Sequence, residues 1–165
     1  MLSLLRLYWP LCQLQRGPQD LPADPALLLR NLLLCLLLGL LSFSVNQNGT
    51  DAVLRTLVSL GLSLACWTIL LRYLAKPGRQ LQTLTAIYGC AVIINVLLLP
   101  VGWLLDAAGD HPGFLPWLLL GMMVWSQVIN GHILRHALEW PLWGGVALAL
   151  AVFFLRVQLF AMIFR

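Results

Sequence analysis

The chain has 165 residues, of which 61% are hydrophobic and 10% are charged, and its formal net charge at neutral pH is +4. A soluble domain carries about 25% charged residues, so this chain is too poor in charge to cover a water-facing surface, and lipid is its expected solvent. The basic residues lie between and at the ends of apolar runs and do not cluster on one soluble face. This distribution argues against a nucleic-acid partner and is typical of membrane proteins.

Residues 1–25 precede the first long apolar run. The opening stretch MLSLLRLYWPLCQLQRG has neither a basic leader region nor an A-x-A cleavage site, so it does not fit a signal peptide. Its leucine and aromatic side chains beside Arg6 and Arg16 predict a cytoplasmic amphipathic segment that lies in the headgroup layer. The three prolines of RGPQDLPADP separate this segment from the first long apolar run.

Five later segments reach the roughly 20 apolar residues that a membrane-spanning helix needs. In chain order they cover residues 26–45, 52–74, 81–105, 114–134 and 141–163. The breaks between them are short and rich in polar residues, glycine or proline, such as NQNGTD and AKPGRQ. The sequence therefore predicts an all-α integral membrane protein, with residues 26–165 forming one antiparallel bundle of five transmembrane helices.

The distribution of Lys and Arg predicts how this bundle is oriented. Seven basic residues fall on one predicted side of the membrane: Arg6, Arg16, Arg30, Arg72, Lys76, Arg79 and Arg135. The other side has Arg55, Arg156 and Arg165. We therefore expect a cytoplasmic N-terminus and an external C-terminus. The leucine-rich, lysine-poor composition fits a GC-rich bacterial genome, so the expected location is a bacterial inner membrane.

Catalytic and cofactor-binding signatures are missing from the sequence. The four cysteines contain no CxxC spacing, which argues against a disulfide framework and a zinc site. An intramembrane Asp pair, GxSxG, HExxH and a glycine-rich phosphate loop are likewise absent. The sequence predicts that the protein is not an enzyme and carries no cofactor.

Two amides fall near the middle of their predicted spans, Asn95 in the third and Gln127 in the fourth. If these helices run in opposite directions, the two side chains could meet at the same depth. They could form a structural hydrogen bond, worth about 0.6 kcal/mol on average, or belong to a polar site for a ligand or ion. Ser126 and Asn130 extend the polar face of the fourth span.

Arg156, in FFLRVQLF, is the one charge well inside a predicted span, and charges at membrane depth are functional candidates. Its side chain could snorkel to the outer end of the helix, towards Asp51 or Asp106. The alternative is a buried ion pair or a contact with a substrate.

A polar cluster closes the fourth span in VWSQVINGHILRHALEW. His132, Arg135, His136 and Glu139 have the spacing of one helix face at the predicted cytoplasmic rim. Two histidines four residues apart could bind a metal, but a third firm ligand is missing from the pattern. The cluster therefore predicts a rim facing lipid phosphates, with Glu139 partly pairing Arg135.

Two stretches resemble the Yip (Ypt-interacting protein) superfamily of small membrane proteins. GRQLQTLTAIYGCAVIINVLLLPVGWLL is similar to the family's third span. VWSQVINGHILRHALEWPLWGGVALALAVFF is similar to its fourth span, short basic turn and final helix. The resemblance covers residues 25–165 and implies five spans with a cytoplasmic N-terminus. The DLYGP-type motif of the members that bind prenylated Rab GTPases is absent, so Rab binding is not implied.

The sequence thus favours a non-catalytic, Yip-like scaffold that organises lipids or packs against another membrane protein or a second copy of itself. The alternative is a small transporter or channel component with a polar path through Asn95, Gln127 and Arg156. A water-accessible cavity that reaches these three residues would favour transport. A dry bundle with an exposed apolar groove would favour partner binding.

Overall fold

The computed structural model describes residues 2–44, 49–74, 78–109, 111 and 113–165, and the side chains of these residues except 2–4, 43 and 44. This part of the chain is helical and forms no strand. A short 3-10 helix, Pro18–Asp20, follows the first α-helix. The six α-helices are α1 (Leu2–Cys12), α2 (Pro25–Ser44), α3 (Gly49–Leu74), α4 (Gln80–Ala108), α5 (Leu115–Leu138) and α6 (Leu142–Ile163).

Helices α2 to α6 are each long and apolar enough to cross a bilayer. Each coincides with one of the five predicted spans, which confirms an all-α protein with five potential transmembrane helices. The largest difference is at the end of α5, which reaches Leu138 and not residue 134. Val45, the predicted end of the first span, and Lys76, one of the seven basic residues, lie outside the described residues.

The five long helices pack in a closed cycle. Helix α2 contacts α3, α3 contacts α6, α6 contacts α5, α5 contacts α4, and α4 contacts α2. Because every helix has two neighbours in this cycle, every helix can direct side chains into a shared interior. Helix α4 is the most enclosed of the five, and all of its residues from Thr83 to Cys90 are buried.

The closest approach of α5 and α6 depends on two glycines. A β-carbon at Gly145 would overlap the carbonyl oxygen of Gly131, and a β-carbon at Gly131 would lie 2.7 Å from the backbone of Val146. Small residues allow helix backbones in membranes to approach closely. Gly131 and Gly145 therefore fix the place where these two helices cross.

Helix α1 packs on the bundle, whereas the sequence predicted a segment in the headgroup layer. Tyr8, Leu11 and Cys12 are buried in the same core as residues of α4. The outer face of α1 leaves Leu5 and Trp9 exposed. The predicted amphipathic character is therefore present, but protein covers much of the apolar face.

Hydrogen bonds also attach the end of α1 and the chain that follows it. The indole Nε1 of Trp125 donates to the carbonyl oxygen of Cys12 at 3.3 Å, and the Gln82 amide donates to that of Leu21 at 2.8 Å. The boundary predicted at residue 25 thus does not divide the packed core, because residues before it contact both α4 and α5.

Candidate ligand-binding cavity

A cavity of about 560 Å³ lies in the interior that α2 to α6 share. This volume is typical of small-molecule sites, which span roughly 300–1,000 Å³. The five intramembrane polar residues that the sequence singled out all line this one cavity: Asn95, Ser126, Gln127, Asn130 and Arg156.

Helix geometry brings these side chains to the cavity from three directions. Asn95 comes from α4, and Arg156 comes from α6. On α5, Ser126 and Asn130 are four residues apart, so they lie one turn from each other on the same face. Gln127 is adjacent to Ser126 and widens the polar face that α5 turns to the cavity.

A second polar wall, contributed by α3, was missed at the level of sequence. Thr56, Ser59 and Ser63 line the cavity, and their spacing of three and four residues places them on one helix face. This helical spacing is the sequence feature from which the α3 wall could have been predicted. Across from α3, the hydroxyl of Tyr88 in α4 donates a hydrogen bond to Ser63 Oγ at 3.2 Å.

The predicted hydrogen bond between Asn95 and Gln127 is not formed in the described part of the chain. Gln127 Nε2 instead donates to Ser126 Oγ at 3.2 Å, and the Ser126 hydroxyl donates to the carbonyl oxygen of Met123 at 2.7 Å. Asn95 and Asn130 form no hydrogen bond with another described residue. Gln127 is satisfied in part by its own helix, so the amides border a common space without pairing across it.

Arg156 lines the same cavity, and its guanidinium Nε is buried without a hydrogen-bond partner among the described residues. The ion pair between Arg79 and Glu139 lies beside the start of α4 and the end of α5 and does not involve Arg156. Of the outcomes that the sequence left open for Arg156, this position fits a contact with a substrate.

The described residues that line the cavity include one cation, three amides and several hydroxyls, but neither Asp nor Glu. A guanidinium keeps its proton in proteins, so the charge of Arg156 is permanent. The remaining wall is apolar and includes Leu60, Ile94, Leu98 and Phe153. The cavity can therefore offer a positive charge and hydrogen-bonding groups from several helices, together with hydrocarbon surface.

The residues predicted to form a headgroup rim do not all face outward: His132 faces protein, whereas Arg135 is exposed. His132 is only 6% exposed, and its Nε2 lies 3.1 Å from the carbonyl oxygen of Arg16. The chain that follows α1 passes over this face of α5, so His132 faces protein and not lipid phosphates. The His136 ring packs edge-on against it, with the ring centroids 4.7 Å apart. Arg135 is exposed, and its contact with lipid phosphates stays a prediction.

Glu139 has a different partner from the one predicted. Its Oε1 lies 3.2 Å from Nη1 of Arg79, at the start of α4, and the same Nη1 donates to the carbonyl oxygen of His136 at 3.3 Å. In the part of the chain that the structure describes, His, Cys, Asp and Glu side chains form no group of three that could hold a metal ion.

Comparisons with protein-family models, with curated proteins and with solved structures found no match for this chain. Its function must therefore be inferred from the cavity and from the helices that enclose it.

Proposed function

We propose that this is a small, non-catalytic integral membrane protein that binds a polar solute inside its helix bundle, as a transporter or channel component does. The observation that supports this proposal is the convergence of Asn95, Gln127 and Arg156 on one cavity of about 560 Å³. A cavity reaching these three residues is the feature that favours transport over a purely scaffolding role.

The energetics of polar groups in a bilayer support the same conclusion. A polar side chain removed from water without a hydrogen bond costs roughly 1–3 kcal/mol by mutational measurements, and a charged one at bilayer depth costs about 2.5–3.5 kcal/mol or more. A purely structural role for Asn95 and Asn130 would call for hydrogen bonds between helices. Since these amides form none with described residues, water or a solute in the cavity is the partner that satisfies them.

The proposed topology is an antiparallel bundle with a cytoplasmic N-terminus, in a bacterial inner membrane. Contacts between chain segments support it. Arg79 at the start of α4 meets Glu139 just beyond α5, and Arg16 after α1 meets His132 near the end of α5. Several residues of the basic set therefore gather at one end of the bundle, as the positive-inside rule requires of a cytoplasmic face.

In this topology the cavity belongs to the middle and external half of the bundle. Its lining includes Thr56 and Ser59 from the first half of α3 and Phe160 and Ala161 from the end of α6. These segments come from the end of the bundle opposite the Arg79–Glu139 ion pair. The solute would then reach Arg156 from the external side.

Thiol labelling tests this proposal without knowledge of the solute. In a variant with all four native cysteines replaced by alanine, Ser59→Cys places a thiol in the cavity wall with little change in side-chain size. Leu57→Cys is the matched control, because Leu57 is in the same helix but is 50% exposed on the outer surface of the protein. Protein in sealed vesicles is treated with a membrane-impermeant, water-soluble thiol reagent.

We expect the thiol at position 59 to react and the thiol at position 57 to stay unmodified, because lipid excludes the reagent from the latter. Reaction from one side of the membrane would indicate a binding site open to that side, and reaction from both sides would indicate a channel. If neither thiol reacts until detergent is added, the bundle is dry. The scaffold role, with lipids and membrane-protein partners, would then be the better proposal.

A further inference from the structure

We infer that the solute is an amphipathic oxyanion, a molecule with a carboxylate or phosphate group and an apolar part, and that Arg156 binds the oxyanion. This inference rests on the proposed function of the cavity and adds the chemical class of what enters it.

The charge of the cavity wall favours an anionic ligand. Arg156 brings a permanent positive charge to a wall that, among the described lining residues, holds no carboxylate. Its Nε is buried and lacks a hydrogen-bond partner in the described part of the chain. Buried cations in membrane proteins pair with an anion or with carbonyl groups, so a ligand that neutralises Arg156 must supply negative charge. A guanidinium binds carboxylate and phosphate oxygens through two parallel N–H bonds.

The neutral polar groups around the cavity can donate hydrogen bonds to such an anion. Asn95 and Asn130 have amide N–H groups that no described residue uses. The Ser63 oxygen accepts from Tyr88, which leaves its own hydrogen free to be donated. Ser59 adds another hydroxyl to the lining. An oxyanion can accept hydrogen bonds from all of these groups. Amide and hydroxyl oxygens can also accept, so the permanent charge of Arg156 is what favours an anion over a cation or a neutral donor.

The volume and lining of the cavity indicate that the ligand also has an apolar part. A volume of about 560 Å³ exceeds what a bare inorganic anion fills, and leucine, isoleucine and phenylalanine side chains make up much of the lining. Such surfaces bind hydrocarbon through the hydrophobic effect. The geometry therefore points to a molecule whose oxyanion meets Arg156 and whose apolar part lies along Leu60, Ile94 and Leu98. A phospholipid headgroup with its glycerol region and a water-soluble organic carboxylate both have this chemistry.

Two thiol reagents of similar size and opposite charge test the inference. The Ser59→Cys protein is treated with the anionic 2-sulfonatoethyl and the cationic 2-trimethylammonioethyl methanethiosulfonates, and each rate is divided by that of a free thiol in solution. We expect the anionic reagent to react faster. Arg156→Gln, which removes the charge but keeps an amide, should lower the anion-to-cation rate ratio at least several-fold, because the charge attracts one reagent and repels the other.

The matched control is Arg55→Gln. Arg55 is also a helix-borne arginine with a buried, unbonded Nε, but its guanidinium stacks on the Phe164 ring and does not line the cavity. This variant should leave the rate ratio unchanged, and Arg156→Lys should largely preserve it. A cation preference, or a ratio that is the same with and without Arg156, would overturn the inference while leaving a water-accessible cavity in place. Failure of both reagents to react would instead overturn the proposed function itself.

Protection of the thiol at position 59 distinguishes the two sources of oxyanion. In phosphatidylcholine vesicles, slower labelling in the presence of added benzoate would identify a water-soluble carboxylate. Slower labelling after phosphatidylglycerol is mixed into the vesicles, without benzoate, would identify an anionic lipid headgroup. Either result supports an oxyanion site, and the absence of protection by both would contradict it.

Discussion

The phenol ring of Tyr8 in α1 packs directly on the backbone of Gly89 in α4, in the space that a side chain at position 89 would need. The Tyr8 hydroxyl accepts a hydrogen bond from the Asn31 amide of α2 at 2.7 Å, and the same amide nitrogen donates to the Thr85 carbonyl oxygen of α4 at 3.3 Å. Through this contact α1 is locked to two helices of the bundle, and the N-terminal segment becomes part of its core.

Gly89→Ala should destabilise the protein by roughly 1–3 kcal/mol, the usual cost of an added methyl group in a well-packed core. The β-carbon would overlap the Tyr8 ring, which is only 1% exposed and has little room to move. Thermal unfolding in mild detergent measures the loss.

Gly102→Ala, in the same helix, is the control for this prediction, because a β-carbon there meets nothing within 4 Å. It should be neutral or stabilise the helix by roughly 0.5–1 kcal/mol, since alanine has the higher helix propensity. Equal unfolding temperatures for the two variants would show that α1 does not pack on Gly89.

Gly145→Ala should weaken the contact between α5 and α6. A β-carbon there would overlap the Gly131 carbonyl oxygen and lie 3.2 Å from the Arg135 backbone nitrogen, and backbone atoms inside a helix cannot move aside cheaply. We expect a loss of roughly 1–3 kcal/mol, again measured by thermal unfolding. Gly144→Ala is the adjacent control, because its nearest contact would be an ordinary 3.6 Å to Trp140. A smaller loss at position 145 than at position 144 would contradict the observed crossing.

Stability at alkaline pH should depend on Tyr8. Burial raises the pKa of its phenol above the ordinary value, and the hydrogen bond from Asn31 opposes this only in part. A raised pKa means that the folded state holds the proton more tightly than the unfolded state. The resulting stabilisation is complete below the unfolded pKa of about 10 and is lost as the pH rises through the folded value.

The unfolding temperature should therefore fall above about pH 10 in the unmodified protein and fall less steeply in Tyr8→Phe. Tyr73→Phe is the matched control, because Tyr73 is 84% exposed and its change leaves the buried Tyr8 phenol in place. Equal slopes for the unmodified protein and Tyr8→Phe would show that the phenol is not buried in the folded state.

The five long helices could be predicted from sequence because the bilayer sets their length and hydrophobicity directly. The polar lining could be predicted for a related reason: an amide or a guanidinium within an apolar run stands out one residue at a time. The convergence of these polar side chains on one cavity could not be predicted, since it requires knowing which face each helix turns inward. The predicted hydrogen bond between Asn95 and Gln127 is not formed, because two side chains at the same depth need not be in contact.

The N-terminal segment shows a second limit. An amphipathic pattern reveals an apolar face but not whether lipid or protein covers it, and the burial of Tyr8 depends on Gly89, which is far away in the chain. The same long-range packing brings Arg16 over His132 and removes that histidine from the predicted headgroup rim. By contrast, the serines and threonine that α3 contributes to the cavity have a helical spacing that is visible in the sequence.

Native mass spectrometry of the protein purified in mild detergent tests most directly whether the cavity holds an anion at Arg156. We expect a fraction of the protein to retain one small acidic molecule or one anionic phospholipid. This adduct should be lost in Arg156→Gln and kept in Arg55→Gln, because only the former arginine lines the cavity. An adduct retained equally by both variants, or no adduct in any of the three proteins, would contradict an oxyanion site at Arg156.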